Sequence, residues 1–364
     1  MKIQRLRAEN FRNLDSTVYE FAENINCIFG PNGNGKTNLL EAIYYLTNRK
    51  SFRKNTDYPQ LLNIEGEKQE IYLSSSFEDD GQSVALSGKI KSESEEWYLN
   101  NQTEKPRIKA QSVFINPFDS YSFHTSSSFR RAWMDQHLGQ LDKNYKSTLA
   151  KFQKALRFRN SILSQYPNSQ TKLQLMSLDE NFAQLSASLT QFRMEWMEKL
   201  SELIAPTFKD IFAEQHELKL SLDTKFQHWT ADQIYNHYRL TENKDFEARH
   251  TSSGVHRDDC QFFFDGLNSF EFCSLGQQKM SFLSLKFAFI ELFRYKLTFY
   301  PIVLIDDVSG ELDSLRWKNL IQFLTQKSFQ VLITTANENF RIELEKIPRV
   351  HQILIEQGRP VSQG

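Results

Sequence analysis

Gly30-Pro31-Asn32-Gly33-Asn34-Gly35-Lys36-Thr37 decides the reading of this 364-residue chain. The eight residues match G-x-x-x-x-G-K-[ST], the phosphate-binding P-loop. Before them, Ile25-Asn26-Cys27-Ile28-Phe29 is a short apolar run that reads as a buried strand. After them, Asn38 to Leu46 is apolar at 39, 40, 43 and 46 and reads as an amphipathic helix. Strand, glycine loop and helix is the geometry that turns successive N–H groups inward onto phosphate oxygens. The helix dipole adds to that attraction. The pattern assigns Gly30 to Thr37 to a nucleotide, with Lys36 reaching the β- and γ-phosphates and Thr37 holding Mg²⁺. A plain glycine-rich turn would not need the flanking strand and helix.

Bulk properties set limits. The length suits one large domain or two modest ones. Thirty phenylalanines predict an aromatic-rich core. The net charge of −1 gives no global basic field, so any nucleic-acid binding must come from a local patch. Cys27, Cys260 and Cys273 are widely spaced and have no metal-ligand spacing, which suits a reducing cytosol. The start, Met1-Lys2-Ile3-Gln4-Arg5-Leu6-Arg7, offers no apolar stretch for a signal peptide. No run approaches the roughly 20 apolar residues of a membrane span.

Along the chain, residues 2–8, 70–77, 82–90 and 95–99 read as strands, with Asp79-Asp80-Gly81 turning the middle pair. Gln111 to Ile115 is another strand. From about 128 to 205 strand signals vanish. Leu141, Tyr145, Leu149, Phe152 and Leu156 recur at helical spacing, and Tyr166-Pro167-Asn168-Ser169 breaks the pattern. Leu178, Phe182, Leu185, Leu189, Phe192, Trp196, Leu200 and Leu203 then step by three and four, predicting a helix stopped by Pro206. It reads either as a lever or hairpin with 141–163, or as a plain helical subdomain. Strand texture returns at 217–222, with a short helix at 231–239. Residues 260–264 and 267–272 predict a hairpin turning at Asp265-Gly266. Helices at 276–296 and 313–326 and strands at 302–305, 329–334 and 350–355 complete the chain.

Two further motifs carry chemistry. Ile302-Val303-Leu304-Ile305-Asp306-Asp307 predicts a central strand whose carboxyl end faces the ligand. Asp306 is placed to hold Mg²⁺ through water. Asp307 stands where a residue would orient or deprotonate the attacking water, and with Lys36 it is the catalytic candidate. As an aspartate it is one methylene shorter than a glutamate, which predicts slow hydrolysis. Ser274-Leu275-Gly276-Gln277-Gln278-Lys279 opens a helix. Ser274 and Gln277 can be a capping box. The same helix start, with Ser274, Gly276 and Gln277, can bind a γ-phosphate. A second phosphate site makes sense if the Ser-Gly helix of one copy closes on the P-loop of another, with ATP between two copies.

This trio of P-loop, S-x-G-Q-[QE]-[KR] signature and apolar-Asp-Asp strand resembles the ABC-type ATPase heads of the SMC class. More narrowly, the chain resembles the RecF family of bacterial recombination-mediator ATPases. Asn10-Phe11-Arg12-Asn13, Gly30 to Asn38, Ser51-Phe52-Arg53, Phe129-Arg130-Arg131 with Asp135, Arg157-Phe158-Arg159-Asn160, Ser253 to Asp259, Gly276 to Lys279 and Asp306 to Asp313 carry the likeness. It implies an α/β fold: an ABC-type P-loop ATPase head with mixed sheets and an inserted, mainly helical lobe. The head would take residues 1–127 and 250–364, and the lobe 128–249. It also implies an ATP-driven homodimer on single-stranded or gapped DNA, partnered by RecR and RecO, away from membranes. Slow ATP hydrolysis would act as a switch. Ser309 to Asp313 would line the dimer interface.

The chain departs from the pattern at two places. Thr334-Thr335 stand where many ABC ATPases carry a histidine, and Pro117-Phe118-Asp119 replaces the usual Pro-Glu-Asp. Arg12 reads as a nucleotide contact or as a surface arginine at a strand end. His256, Arg257, Asp258 and Asp259 have poor metal spacing and read as a salt-bridged turn near the dimer interface. For DNA phosphates two basic clusters are available: Lys50, Arg53 and Lys54, and Lys151, Lys154, Arg157 and Arg159. Each also reads as a solvated face. Three rival functions fit the P-loop: a transporter-coupled nucleotide-binding subunit, a small-molecule kinase and a non-hydrolysing scaffold.

Overall fold

The computed structural model describes residues 1–53, 55–63, 66, 69–103, 110–116, 119–212, 216–307, 314–348 and 350–361. In chain order the first elements are β1 (Lys2–Glu9), β2 (Val18–Glu20), β3 (Ile25–Phe29), α1 (Lys36–Asn48), α2 (Tyr58–Leu61), β4 (Ile71–Asp79), β5 (Gln82–Ile90), β6 (Glu95–Leu99), β7 (Gln102–Thr103) and β8 (Ser112–Ile115). The middle of the chain gives α3 (Asp119–Thr125), α4 (Ser127–Leu141), α5 (Lys143–Leu163), α6 (Ser169–Phe212), β9 (Leu218–Asp223), α7 (Ala231–Ala248), β10 (Asp259–Phe264), β11 (Leu267–Asn268), α8 (Ser269–Phe272) and α9 (Leu275–Leu297). The last part adds β12 (Ile302–Asp306), α10 (Ser314–Thr325), β13 (Val331–Thr335), α11 (Glu338–Glu345), β14 (Val350–Glu356) and β15 (Arg359–Val361). Among the described residues no helix is long and apolar enough to cross a membrane.

Two compact units result. One comprises Met1–Asp119, Asp210–Ala213 and Phe289–Gly364. The other comprises Ser120–Lys209 and Glu214–Ala288. The first unit holds two six-stranded sheets. One is antiparallel, in the order β2-β1-β4-β5-β6-β7. β4 alternates, with Ile71, Leu73, Ser75 and Phe77 turned inward, as a sheet with one buried face requires. Its turn into β5 places Asp80 and Gly81 at φ 49° and 81°, the left-handed pair that suits a tight hairpin. The other sheet has the order β15-β14-β3-β13-β12-β8, all parallel except β15. All five residues of β3 and of β13 are buried, the continuous pattern of a parallel core strand. Side chains of both sheets and of α1, among them Leu6, Leu73, Ile43 and Leu332, share one hydrophobic core.

In the second unit α5 and α6 form an antiparallel hairpin. Tyr145 meets Phe192, Phe152 stacks on Phe182 at 4.9 Å, and Arg159 bonds Asp179 at 2.7 Å. α6 corrects the expectation at Pro206. The helix runs on to Phe212, for 44 residues, which is about 66 Å at the α-helical rise. An interior proline costs about 3 kcal/mol. Thr207 and Phe208 beyond it are buried, Phe208 edge-on to Phe264, and that packing offsets the break. A second correction falls at 267–272. Only Leu267–Asn268 are strand, because Asn268 accepts from the Phe270 N–H and starts α8. α7 is also longer than 231–239. The sequence reading ends the lobe at 249, whereas β10 pairs with β9 along its whole length, and residues through 288 group with the second unit.

Two buried arginines hold that unit. Arg159 bonds Asp179 and Asp245 at 2.7 Å each and the Thr251 hydroxyl at 2.9 Å. Arg193 bonds Asp135, Asp258 and the Val255 carbonyl at 2.6–2.8 Å. Asp259 takes Arg130 in a fork at 2.6 and 2.7 Å. The Ser253–Asp259 block is therefore a salt-bridged turn whose acids are engaged by arginines. Arg159, fully buried, leaves the basic cluster on α5 to the exposed Lys151, Lys154 and Arg157.

His124 is buried and His256 half-buried, and both are neutral near pH 7. His256 Nε2 lies 3.0 Å from the Thr251 carbonyl, and its Nδ1 has no hydrogen-bond partner among the described residues. Burial pushes its pKa down to about 4, against the Thr251 bond and with help from Arg257. His124, bonded through Nδ1 to the Ser120 carbonyl, is also pushed down to about 4 by burial. The unfolded chain protonates both near 6.5 and the folded chain only near 4. Their contribution is complete above about pH 6.5 and is lost as pH falls toward 4. A His124→Gln/His256→Gln variant should therefore lose less stability than the parent between pH 6.5 and 4.5 in denaturant titrations. Parallel loss in both proteins would refute this.

Candidate functional site

The register of the parallel sheet builds the site. Thr334 pairs with Ile28 on one side and with Asp306 on the other, so the carboxyl ends of β3, β13 and β12 are level. Ligands of open α/β sheets bind at such an edge. The glycine loop leaves β3 there. Gly30 has φ 144°, and a Cβ on it would lie 2.3 Å from the Ile355 carbonyl oxygen of β14, so only glycine fits. Gly35, at φ 102°, turns the chain into α1.

The loop is strapped from outside. Asn13 donates to the Gly33 carbonyl at 2.9 Å. The Asn34 side chain accepts from the Gln357 N–H at 2.7 Å, and its carbonyl accepts from the Gly358 N–H at 3.0 Å. Lys36 Nζ donates to the carbonyls of Gly30 and Pro31 at 2.8 and 3.0 Å. Burial pushes the Lys36 ammonium down from the usual lysine range, and the Asp307 and Asp306 carboxylates oppose that.

Thr37 Oγ1 lies 3.0 and 3.1 Å from the two carboxylate oxygens of Asp306, across 269 positions of sequence. Asp306 also accepts from the Thr334 hydroxyl at 2.6 Å. Burial pushes the Asp306 carboxyl up, the Thr334 and Thr37 hydroxyls pull it down, and Asp307 raises it again. A hydroxyl and a carboxylate at this spacing are hard oxygen donors of the kind Mg²⁺ takes. Asp307 follows with φ 45°, a left-handed aspartate at the strand end, its N–H on the Thr334 hydroxyl at 3.1 Å. Non-glycine residues in that region concentrate at functional sites. Thr334, noted in the sequence only for not being histidine, thus fixes the Asp306 carboxylate and the backbone of Asp307.

Glu41 was not legible as a site residue. Fully buried on α1, it takes Arg12 in a fork at 2.9 and 3.0 Å, Ser51 Oγ at 2.5 Å and Arg53 at 3.5 Å. It joins the Arg12 and Ser51-Phe52-Arg53 stretches to the helix that follows the glycine loop. The one available signal is that Glu41 is the only acid within α1. Arg53 also donates to Asn38.

Ser274, Gly276 and Gln277 lie in the second unit, at the start of α9. The capping box is present: Gln277 N–H donates to Ser274 Oγ at 3.3 Å and Ser274 N–H to Gln277 Oε1 at 2.9 Å. Ser274 itself is exposed, as are the apolar Phe272 and Leu275 beside it. Lys54, Pro117, Phe118 and Ser309 to Asp313 lie outside the described residues.

Comparison with known proteins agrees with these features. Residues 2–356 match the RecF/RecN/SMC N-terminal domain family. A DNA replication and repair protein RecF from Oceanobacillus iheyensis is 31% identical over 94% of this chain and 96% of its own length. The RecF of Lactobacillus acidophilus is 29% identical over 97% of both chains. In fold, the recombination mediator RecF-ATPrS of the RecFOR pathway superposes with a TM-score of 0.84 at 24% identity, covering 100% of this chain and 98% of the other. These likenesses favour the repair reading over the transporter and kinase alternatives. With the glycine loop, the acidic strand end and the serine-led helix in place, the chain belongs to the RecF family of DNA replication and repair proteins, on an ABC-type ATPase head.

Proposed function

We propose that the chain binds ATP with Mg²⁺ and uses the nucleotide to close two copies on DNA. The observation that carries this is the contact of Thr37 with both oxygens of Asp306 beneath the glycine loop. Gly30 to Thr37 wrap the phosphates, and Lys36 leaves the loop carbonyls for the β- and γ-phosphates. Thr37 and Asp306 hold the cation, which would offset charge on the phosphates. Arg12, with Nε and Nη2 on Glu41, keeps Nη1 for the nucleotide. Asp307 orients the attacking water, and its short side chain keeps turnover slow. Ser274, Gly276 and Gln277 of a second copy complete the γ-phosphate site, and the exposed Phe272 and Leu275 beside them are buried by that closure. Ser309 to Asp313 line the same interface.

The DNA is single-stranded or gapped and is held by phosphate contacts, because no motif here reads base edges. RecR and RecO-like mediators are the partners, as in the RecFOR pathway named for the similar structure. The protein works in the cytoplasm, and hydrolysis releases it.

ATPase rates measured with single-stranded, duplex and gapped DNA at two salt concentrations test this reading. Gapped or single-stranded DNA should stimulate turnover, less so at high salt. Lys36→Ala and Asp306→Asn should each lower the rate on the order of 10²-fold. Unchanged turnover in both variants would remove the enzymatic claim. For dimerisation, light scattering should show an ATP-dependent doubling of mass that Ser274→Arg abolishes while ATP still binds. A Ser274→Arg protein that doubles normally would exclude the serine-led helix from the interface.

A further inference from the structure

The three-stranded sheet of the second unit ends in an open edge. Its order is β11-β10-β9, so among the described residues β9 bonds β10 on one side only. Asp265 N–H donates to the Glu217 carbonyl at 2.9 Å. In an antiparallel ladder facing pairs alternate, so Lys219, Ser221 and Asp223 turn their N–H and C=O groups to β10. Those of Leu218, Leu220 and Leu222 point the other way, and no backbone partner faces them among the described residues.

That edge lines a groove of about 1250 Å³, and α6 lines it too. From α6 come the apolar Met194 and Met197 and the hydroxyl of Thr190. Thr190 is 3% exposed, and its Oγ1 has no hydrogen-bond partner among the described residues. Glu195, Glu198 and Glu202 also line the groove, on one exposed helix face. None of the three is in an ion pair among the described residues.

We propose that the β9 edge receives an extended, basic segment of a partner protein, which adds to the sheet as a fourth strand. The outward peptide groups are a template for a backbone partner in extended form. The three glutamates select lysine or arginine side chains on that strand and repel nucleic-acid phosphates. They also disfavour a second copy, since an isologous pairing of two β9 edges would bring two acidic walls together. The site stands apart from the nucleotide reading and needs neither ATP nor DNA.

The test uses the full chain and three eight-residue peptides: alternating lysine and valine, alternating glutamate and valine, and the lysine peptide N-methylated at every second residue. Fluorescence anisotropy should show binding of the first alone. Hydrogen exchange should slow at 218–222 when it binds. Glu198→Lys/Glu202→Lys, both at exposed helix positions, should weaken it at least tenfold. Failure of the lysine peptide to bind, equal binding of the glutamate peptide, or protection confined to other residues would overturn the proposal. So would protection at 218–222 that arises from self-association of the chain without peptide.

Discussion

The candidate site depends on one hydrogen-bonded contact, between Thr37 at the start of α1 and Asp306 at the end of β12. Local chain geometry does not produce it. It follows from the parallel order β3-β13-β12, in which one strand separates the two and sets their ends level. Thr334, on the intervening strand, completes the contact by donating to Asp306. A one-residue slip of β13 would turn its side chains to the opposite face and take the Thr334 hydroxyl away from both acids. The complete burial of β3 and β13 on both faces makes such a slip expensive. The apolar residues of these strands thus position the polar groups at their carboxyl ends.

The second unit solves a different problem with charge. Its helices α5, α6 and α7 are joined through Arg159, and its turn at 255–258 through Arg193. Buried ion pairs contribute little net stability against an apolar core of the same shape, but removing one partner leaves an unpaired buried charge. Each of these carboxylates has an arginine in hydrogen-bond contact, and further arginine donors meet Thr251, the Val255 carbonyl and the Tyr145 hydroxyl. Such a network fixes one arrangement of the helices and the turn.

Much of this was readable in advance because it is local. The glycine loop, its strand and its helix are adjacent in sequence, and Ile302 to Asp307 announces a core strand by composition alone. The capping box at Ser274 lies within four residues. What escaped was of two kinds. At Pro206 and at Ser269–Phe272, packing of Phe208 and capping by Asn268 overrode the local signal. Glu41, Thr334 and the Asn34–Gln357 strap act through partners far away in sequence, and no periodicity marks them. The Arg159 side chain looked like part of a basic surface because helical spacing cannot tell a solvated arginine from one bonded to two buried aspartates.

A double-mutant cycle on the Thr37–Asp306 contact tests the proposed shared cation site most directly. Calorimetric titration would compare ATP affinity with and without Mg²⁺ for the parent, Thr37→Val, Asp306→Asn and the double variant. If one ion is held by both side chains, each single change removes most of the Mg²⁺-dependent gain and the double variant loses little more. Independent losses that simply add, or a full Mg²⁺-dependent gain in either single variant, would contradict it.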